Sequence, residues 1–440
     1  MKFLLVNSDL GSLSDSKTLP LTMYQIGGIL REAGQLFEIV DPLLYEYHYY
    51  KESFEEKLKK SLSDFDAIVF SANSFNWCLV RKHIKYVREQ GYEQPVILGG
   101  LHPTYAYQHI MYTNAIDYIL LGEAEGSLPL LSQALEGKTS KNKVPGLVYI
   151  ENSKLVVTSM PNLVSNIDKI AFPAYDFIPD RAFSTITFES SRGCYGNCSF
   201  CSIQYKKCWR GMSTGSVLNR LERLIPIVEN KTPHRHMIFT DDCFTTNIDR
   251  ANEILKRGYD IGLKDYTRVL IEARMRHLFN ENLLSTIASC NNISIQIGVE
   301  SGYNEGLKKI HKGILRDDIL RGAKILNRYG LQKSSLFSFI IGFPWETYDG
   351  CQKTIETAAF VKDKYGVSVN CVWWIPLPSE EYDNIYEKSG LERFGYWDNA
   401  WEADKTIIFP KMHDYLSYKQ YEKINRLIKL YQQFGVSIVG

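Results

Sequence analysis

The chain has 440 residues, of which 45% are hydrophobic and 23% charged, a composition typical of folded chains with two or three domains rather than disordered ones. The 51 basic and 50 acidic side chains give a net charge of +1, which offers no support for a nucleic-acid-coating surface. No apolar run reaches the roughly 20 residues that a membrane span needs, and Asn7-Ser8-Asp9 ends the apolar start too early for a signal peptide, so we expect a cytoplasmic protein without a membrane span.

The first part of the chain alternates strand and helix patterns. Short apolar segments predict strands at residues 2–6, 37–40, 67–71, 95–98 and 118–121, and helices at residues 23–33 and 79–90. This alternation indicates an α/β domain with a doubly wound parallel sheet, which binds ligands at the carboxyl ends of its strands. We assign this domain to residues 1–143.

A β-ribbon and a proline-containing linker follow at residues 144–183, and the alternation then restarts. Strands are predicted at residues 185–190, 236–240, 268–273, 293–298, 337–342 and 368–374, with helices such as 216–229 and 317–329 between them. Six such units favour a partial (β/α)6 barrel over residues 184–378. Residues 379–440 are predicted to be mostly helical, with an amphipathic helix at 415–434.

Three of the nine cysteines fall close together after the first barrel strand. Cys194, Cys198 and Cys201 have the spacing C-x3-C-x2-C. In a chain with no export signal, such a cluster favours a metal site over disulfides. Three soft thiolates suit an iron–sulfur cubane, whose fourth iron stays open to a substrate. A zinc site completed by Cys208, or chance clustering of buried cysteines, remains the alternative.

The pattern C-x3-C-x-Φ-C, with Phe200 in the aromatic position, resembles the signature of the radical SAM superfamily. Segments at residues 239–244, 295–301 and 339–347 are similar to later strands of its subgroup with an N-terminal cobalamin-binding domain. The resemblance implies that the three cysteines bind a [4Fe-4S] cluster whose open iron chelates S-adenosylmethionine (SAM). It also implies a set of SAM-binding residues: Phe200, Asp241, Asp242, Gln296, Glu300, Ser301, Arg316, Ile340, Gly342 and Phe343.

Several of these residues have a plainer structural interpretation. The pair Asp241-Asp242 could cap a helix, and Glu300-Ser301 could form a turn at a strand end. Arg316 could be a solvated residue at a helix start, and Gly342-Phe343 could be a simple turn. The sequence alone leaves these alternatives open.

Residues 97–104 and 117–125 resemble the cobalamin-binding domain of the same subgroup. A glycine pair after a strand permits close approach of a flat or phosphate-bearing ligand, and short polar side chains follow the neighbouring strand. The implied cobalamin-binding residues are Ser71, Asn73, Ser74, Gly99, Gly100, His102 and Glu123. The D-x-H-x-x-G motif, whose histidine ligates cobalt, is absent. His102 could therefore be a structural loop histidine, and Glu123 could bind loop amides.

The resemblance implies a radical SAM enzyme that uses cobalamin to methylate an unactivated carbon of a natural-product or metabolite substrate. The substrate is a small molecule or a peptide, and an external one-electron reductant such as flavodoxin or ferredoxin supplies the electron. Radical cyclisation, rearrangement or oxidation without methyl transfer is one alternative. A zinc-stabilised, non-enzymatic binding protein is the other.

Overall fold

The computed structural model describes residues 1–8, 18–41, 44, 52–160, 163–203, 205–229, 231–232, 235–378, 395–398, 415–432 and 437–438. Two compact units are present. The first contains Met1–Thr187, Arg223–Pro233 and Phe394–Glu402, and the second contains the remainder of the chain. Much of the predicted C-terminal helical region, residues 379–440, lies outside the described residues. Within the described residues, no helix is long and apolar enough to cross a membrane.

The first unit is built on one sheet with the strand order β2-β1-β3-β4-β5-β6-β7. Its strands are β1 (Lys2–Val6), β2 (Leu36–Val40), β3 (Ala67–Ser71), β4 (Val96–Gly99), β5 (Tyr118–Leu120), β6 (Leu147–Glu151) and β7 (Lys154–Val157). Its helices are α1 (Leu21–Glu32), α2 (Phe54–Ser61), α3 (Trp77–Glu89), α4 (Leu101–Thr113) and α5 (Ser127–Leu135). Strands β1 to β5 pair in parallel, and the ribbon β6–β7 adds antiparallel strands at one edge.

Local sequence explains where these helices begin. Ser53 and Glu56 form a reciprocal capping box that starts α2. Gly100 adopts a φ of +107°, a conformation open to glycine, and α4 begins directly after it. Pro103 is tolerated in α4 because the first helical turn has backbone N–H groups without intrahelical acceptors.

The second sheet has the strand order β16-β15-β14-β13-β12-β11-β8. Its strands are β8 (Thr185–Phe188), β11 (His236–Phe239), β12 (Arg268–Ala273), β13 (Ile293–Glu300), β14 (Ser335–Ile341), β15 (Ser368–Trp373) and β16 (Ser437–Ile438). Two short strands, β9 (Ser191–Arg192) and β10 (Arg210–Gly211), form a separate antiparallel ribbon. The remaining helices in the described residues are α6 (Thr214–Val228), α7 (Ile248–Ile261), α8 (Glu281–Ser289), α9 (Asn304–Lys309), α10 (Arg316–Arg328), α11 (Tyr348–Tyr365), the one-turn α12 (Gly395–Asp398) and α13 (Tyr418–Gln432).

The predicted fold class is confirmed. A parallel sheet with helical connections forms the N-terminal part, and the six predicted barrel strands lie side by side in sequence order. Strand β16 was not predicted, because two residues carry too little pattern to identify a strand. The amphipathic helix predicted at the C-terminus is α13, whose Ile424 and Ile428 pack on Ile355 in the second unit.

Burial alternates along the barrel strands, which separates the two faces of the second sheet. On β12, Val269, Ile271 and Ala273 are buried, whereas Leu270 and Glu272 are only partly buried. The same alternation continues on β14 and β15. The partly buried positions therefore form one inner face, and the site described below lies at the carboxyl ends of these strands.

Candidate active site

A clamped loop carries the three motif cysteines. The ribbon β9–β10 closes the loop at its base, where Arg192 pairs with Arg210 and Ser191 with Gly211. Gly193 has a φ of +76°, and a Cβ there would lie 2.0 Å from the carbonyl oxygen of Cys208. This glycine is thus required by close packing within the loop itself.

Carboxylates that follow β11 brace the start of this loop. Asp241 is buried, and its oxygens accept hydrogen bonds from the Ser190 amide at 2.7 Å, the Ser190 hydroxyl at 2.6 Å and the Ser191 hydroxyl at 2.5 Å. Asp242 accepts a hydrogen bond from the Gly193 amide at 2.9 Å. Burial raises the pKa of Asp241, while its three donors oppose that effect. Both carboxylates therefore position the loop rather than cap a helix, and their contact with SAM stays a prediction.

A guanidinium group lies beside two of the thiols. Nη1 of Arg274 is 3.9 Å from the Cys194 sulfur and 3.8 Å from the Cys198 sulfur, and Nη2 donates to the Lys312 carbonyl at 2.9 Å. Arg274 was not predicted from the sequence. Its position directly after the carboxyl end of β12 was the available signal, because side chains at such strand ends meet at one edge of a sheet.

The donor set fits an iron–sulfur cluster better than a single ion. Cys194 and Cys198 are buried and Cys201 is partly buried, and all three are free thiols on the same loop. Burial raises the pKa of Cys201 to about 11, so a bound cation is needed to hold it as thiolate. A cubane offers a separate iron to each of the three thiolates, whereas a structural zinc ion needs a fourth ligand.

An aromatic cluster, formed by Phe200, Phe343 and Trp345, adjoins the cysteine loop. The Phe200 ring meets the Phe343 ring edge-on at 5.7 Å, and Phe343 stacks on Trp345 at 5.3 Å. Ile340 packs against the same group. Three of the predicted SAM-binding residues are thus brought together, in surroundings suited to a flat adenine ring.

The turn that presents Phe343 is held by a buried carboxylate. Glu346 is fully buried, and its Oε2 accepts hydrogen bonds from the Gly342 amide at 2.7 Å and the Phe343 amide at 3.3 Å. Gly342 has a φ of +75°, which explains the glycine at this position. Burial raises the pKa of Glu346 to about 7, and the two amide donors lower it in part.

An acidic wall, formed by Glu272, Gln296 and Glu300, lies on the inner face of the second sheet. Glu272 on β12 and Gln296 on β13 are register partners. Glu300, in a bulge at the end of β13 with a φ of +72°, forms a buried ion pair with Lys312 at 3.0 Å. Burial, followed by the charge of Glu300, raises the pKa of Glu272 to about 7. Glu272 and Lys312 are two further residues that the sequence analysis did not select.

Two further predicted SAM-binding residues differ in their contacts. Ser301 is fully buried, and its hydroxyl has no hydrogen-bond partner among the described residues. Arg316 is the first residue of α10, and its Nε donates to the Thr357 hydroxyl at 3.1 Å. The alternative of a helix-start residue therefore describes the position of Arg316, and a SAM contact for either residue stays a prediction.

The predicted ligand edge of the first unit is built around Gly99 and Gly100. A Cβ on Gly100 would lie 2.4 Å from the Ala72 carbonyl oxygen, whereas one on Gly99 would have no atom nearer than 3.8 Å. The close approach that requires Gly100 is therefore to the protein itself, and the space for a ligand lies at Gly99. Phe75 and Leu101, which follow β3 and β4, are 51% and 43% exposed and offer apolar contact at this edge.

His102 lies in the first turn of α4 and not in a loop. It is fully buried, its Nδ1 is 3.1 Å from the Ser74 hydroxyl, and its ring stacks on Trp77 at 5.3 Å. Burial lowers the pKa of His102 to about 3, so the ring is neutral. In this arrangement His102 does not present a ring nitrogen to a cobalt ion at the surface.

The other predicted cobalamin-binding side chains also have partners within the protein. Asn73 accepts hydrogen bonds from the amides of Phe75 at 2.8 Å and Asn76 at 3.0 Å. Glu123 accepts one from the Val164 amide at 2.7 Å, as the plainer interpretation of that residue predicted. Ser71, at the end of β3, is partly buried. The residues present thus fit a flat ligand resting on the edge, and the buried His102 is not placed as a ligand to its metal.

A comparison with protein families matches residues 188–358 to the radical SAM superfamily. The matched segment contains the cysteine loop, the aromatic cluster and the acidic wall.

Individual relatives extend the similarity over both units. An uncharacterized methyltransferase of Pyrococcus horikoshii is 30% identical over 352 residues, which cover 77% of this chain and 72% of that protein. Cytidylyl-2-hydroxyethylphosphonate methyltransferase of Streptomyces wedmorensis is 23% identical, covering 67% of this chain and 64% of its own length. The radical S-adenosylmethionine methyltransferase TsrM of Kitasatospora setae has the same fold, and its structure was solved with cobalamin and a [4Fe-4S] cluster bound. The two structures superpose with a TM-score of 0.70 at 15% sequence identity, covering 88% of this chain and 75% of that chain.

Proposed function

The chain belongs to the radical SAM superfamily, and from that premise we propose that it methylates an unactivated carbon of a natural-product or metabolite substrate with the help of cobalamin. The single observation that carries the radical part is the braced loop with three free thiols beside an aromatic cluster. Methyl transfer is supported by the names of the three similar proteins, each of which is called a methyltransferase. A small-molecule or peptide substrate, flavodoxin or ferredoxin as the reductant and a cytoplasmic location complete the proposal.

In this proposal, different residues of the second unit bind the cluster, position its loop and contact SAM. When bound, a [4Fe-4S] cluster supplies the electron that cleaves SAM into methionine and a 5′-deoxyadenosyl radical. Cys194, Cys198 and Cys201 hold it, and Asp241 keeps their loop in place. Phe200 and Phe343 enclose the adenine ring and exclude water from its faces. The role of these side chains is to fix the distance between SAM and the substrate carbon.

The edge of the first unit supports cobalamin as the second cofactor. When bound, cobalamin carries the methyl group that is transferred. Gly99 leaves open space at the end of β4, and the exposed side chains of Phe75 and Leu101 provide apolar surface for a flat corrin ring. Because His102 is fully buried, the proposed binding rests on contact with the ring and its side groups.

The test is an anaerobic incubation of the reconstituted enzyme with SAM and dithionite, with and without hydroxocobalamin. We expect 5′-deoxyadenosine in both reactions and bound corrinoid in the second, seen in the ultraviolet–visible spectrum after desalting. The variant Cys198→Ala should form no 5′-deoxyadenosine. A wild-type enzyme that takes up no corrinoid at micromolar excess would contradict the cobalamin proposal while leaving the radical chemistry intact.

Product mass then separates methylation from the alternatives. Genomic neighbours supply candidate substrates, and the product of a true substrate should be heavier by one methylene unit. A product of unchanged mass, or one lighter by two hydrogens, would replace methylation by rearrangement or by oxidation.

A further inference from the structure

Arg274 is held in place from two sides. One arm of the guanidinium donates to the Lys312 carbonyl at 2.9 Å, and Lys312 is itself fixed by its buried ion pair with Glu300. The guanidinium also lies over the Tyr195 ring at 5.1 Å from its centroid. The Tyr195 hydroxyl is 3.0 Å from His277, which fixes that ring in turn. These contacts leave the other arm pointing at the sulfur atoms of the motif.

The cysteine loop makes room for this group. A Cβ on Gly196 would lie 2.2 Å from Nη1 of Arg274 and 3.4 Å from the Cys194 sulfur. A side chain at position 196 would thus occupy the space between the guanidinium and the thiols. Gly196 therefore permits the close approach of the arginine.

Among the described residues, no carboxylate forms an ion pair with the positively charged Arg274. One arm of its guanidinium donates to a neutral carbonyl, and the other reaches two cysteine sulfurs. Arginine stays protonated in proteins, so a full positive charge lies about one hydrogen bond away from two cluster ligands. Hydrogen bonds and nearby charge are established determinants of iron–sulfur reduction potential.

We propose that Arg274 is a positioning residue that sets the reduction potential of the cluster, by donating charge-assisted hydrogen bonds to the thiolates of Cys194 and Cys198. A low-potential one-electron reductant adds one electron to the oxidised cluster, whose net charge then becomes more negative by one. A fixed positive charge stabilises the reduced form more than the oxidised form and raises the potential. This inference concerns the cluster alone and does not depend on methylation or on cobalamin.

The experiment is a redox titration of the reconstituted enzyme, followed by electron paramagnetic resonance of the reduced cluster. At the midpoint potential of the wild type, Arg274→Met should lower the ratio of reduced to oxidised cluster about tenfold. Arg274→Lys, which keeps the charge but not the fork, should lie between the two. Arg276→Gln removes an exposed charge two residues away and should leave the midpoint unchanged, because solvent screens that charge.

A structural role alone would change the amount of bound cluster without moving its midpoint. Equal midpoints for the wild type and Arg274→Met would therefore overturn the proposal. If Arg274→Met binds too little iron to titrate, Gly196→Ala decides, since its Cβ displaces the guanidinium but preserves the charge. A lowered midpoint in Gly196→Ala supports the proposal, and a wild-type midpoint contradicts it.

Discussion

The carboxyl group of Glu272 stays protonated at mildly acidic pH because it is partly buried on the inner face of the barrel sheet. Burial raises its pKa to about 7. The unfolded chain, with a carboxyl pKa near 4.3, releases that proton at lower pH. The folded state therefore binds more protons between these values, and this contribution to stability is lost as pH rises from about 4.5 to 7.

Glu272→Gln should remove this pH dependence. The variant should equal the wild type in stability near pH 4.5 and exceed it by roughly 1 to 3 kcal/mol above pH 7, where the wild type holds an ionised carboxylate in a partly buried position. Thermal denaturation of both proteins at several pH values measures the difference. Glu253→Gln, at an exposed ion pair with Arg257, is the control and should follow the wild type. A constant offset between the Glu272→Gln and wild-type curves would show that Glu272 does not titrate in this range.

The adjacent glycines Gly99 and Gly100 should differ in how well they tolerate substitution by alanine. A Cβ on Gly100 meets the Ala72 backbone at 2.4 Å, and its φ of +107° disfavours any side chain. Gly100→Ala should thus lower the free energy of unfolding by about 2 to 4 kcal/mol. Gly99→Ala meets no atom within 3.8 Å and should be nearly neutral in denaturant unfolding. Similar losses for the two variants would show that the strand end tolerates no side chain for another reason.

At the residue scale, the sequence identifies groups whose chemistry is carried by a local motif. The three cysteines and Phe200 follow from one short segment, and the structure places Phe343 and Ile340 beside Phe200. Arg274 has no such local signal, because its partner Cys194 is 80 residues away in the chain. The need for Gly100 is likewise set by Ala72, which directly follows the neighbouring strand β3. Contacts of this kind depend on strand order and register, which a single sequence does not specify.

At the scale of elements, the turn after β14 is the unit that carries the aromatic cluster. Glu346→Ala would leave the buried amides of Gly342 and Phe343 without an acceptor, at a cost of about 2 to 4 kcal/mol. The freed turn should also displace Phe343 and weaken SAM binding several-fold in equilibrium dialysis. Glu346→Gln keeps an acceptor oxygen at the same position and should retain most of both properties.

That pair of variants distinguishes the carboxylate's hydrogen bonds from its charge. Equal SAM affinity in the alanine variant and the wild type would mean that the turn does not need Glu346. A loss in Glu346→Gln as large as that in Glu346→Ala would instead assign the effect to the charge of the carboxylate.

The elements themselves were predicted unevenly. Buried apolar strands such as β1, β3 and β13 stand out because every one is bounded by polar or turn residues. Helix α4 was not predicted, and His102 near its start was given a loop position as its plainer interpretation, because the glycine pair and Pro103 hide the helix start. The bulge that turns Glu300 toward Lys312 depends on pairing with β14 and has no signature within β13.

At the scale of the whole chain, sequence order and spatial order diverge in two places. Arg223–Pro233 and Phe394–Glu402 belong to the first compact unit although they follow residues of the second. Composition and periodicity divide a chain only along its length, so they cannot predict such returns. The segment ending in Asp398 is tied to the first unit by hydrogen bonds to residues about 300 positions earlier.

Asp398 should therefore stabilise the first unit from the far end of the chain. Its Oδ1 accepts a hydrogen bond from the buried Trp77 indole at 2.7 Å, and its Oδ2 lies 2.9 Å from His109. Asp398→Ala leaves the indole N–H without that acceptor, which should cost about 1 to 3 kcal/mol and expose α3 to hydrogen exchange. Asp349→Ala, which breaks an exposed ion pair with Lys353, should cost less than about 1 kcal/mol.

Hydrogen exchange of Asp398→Ala, measured by mass spectrometry, should rise in peptides that contain Trp77 and stay unchanged in those of β13. Unchanged exchange at Trp77 in Asp398→Ala would show that other contacts hold this segment on the first unit.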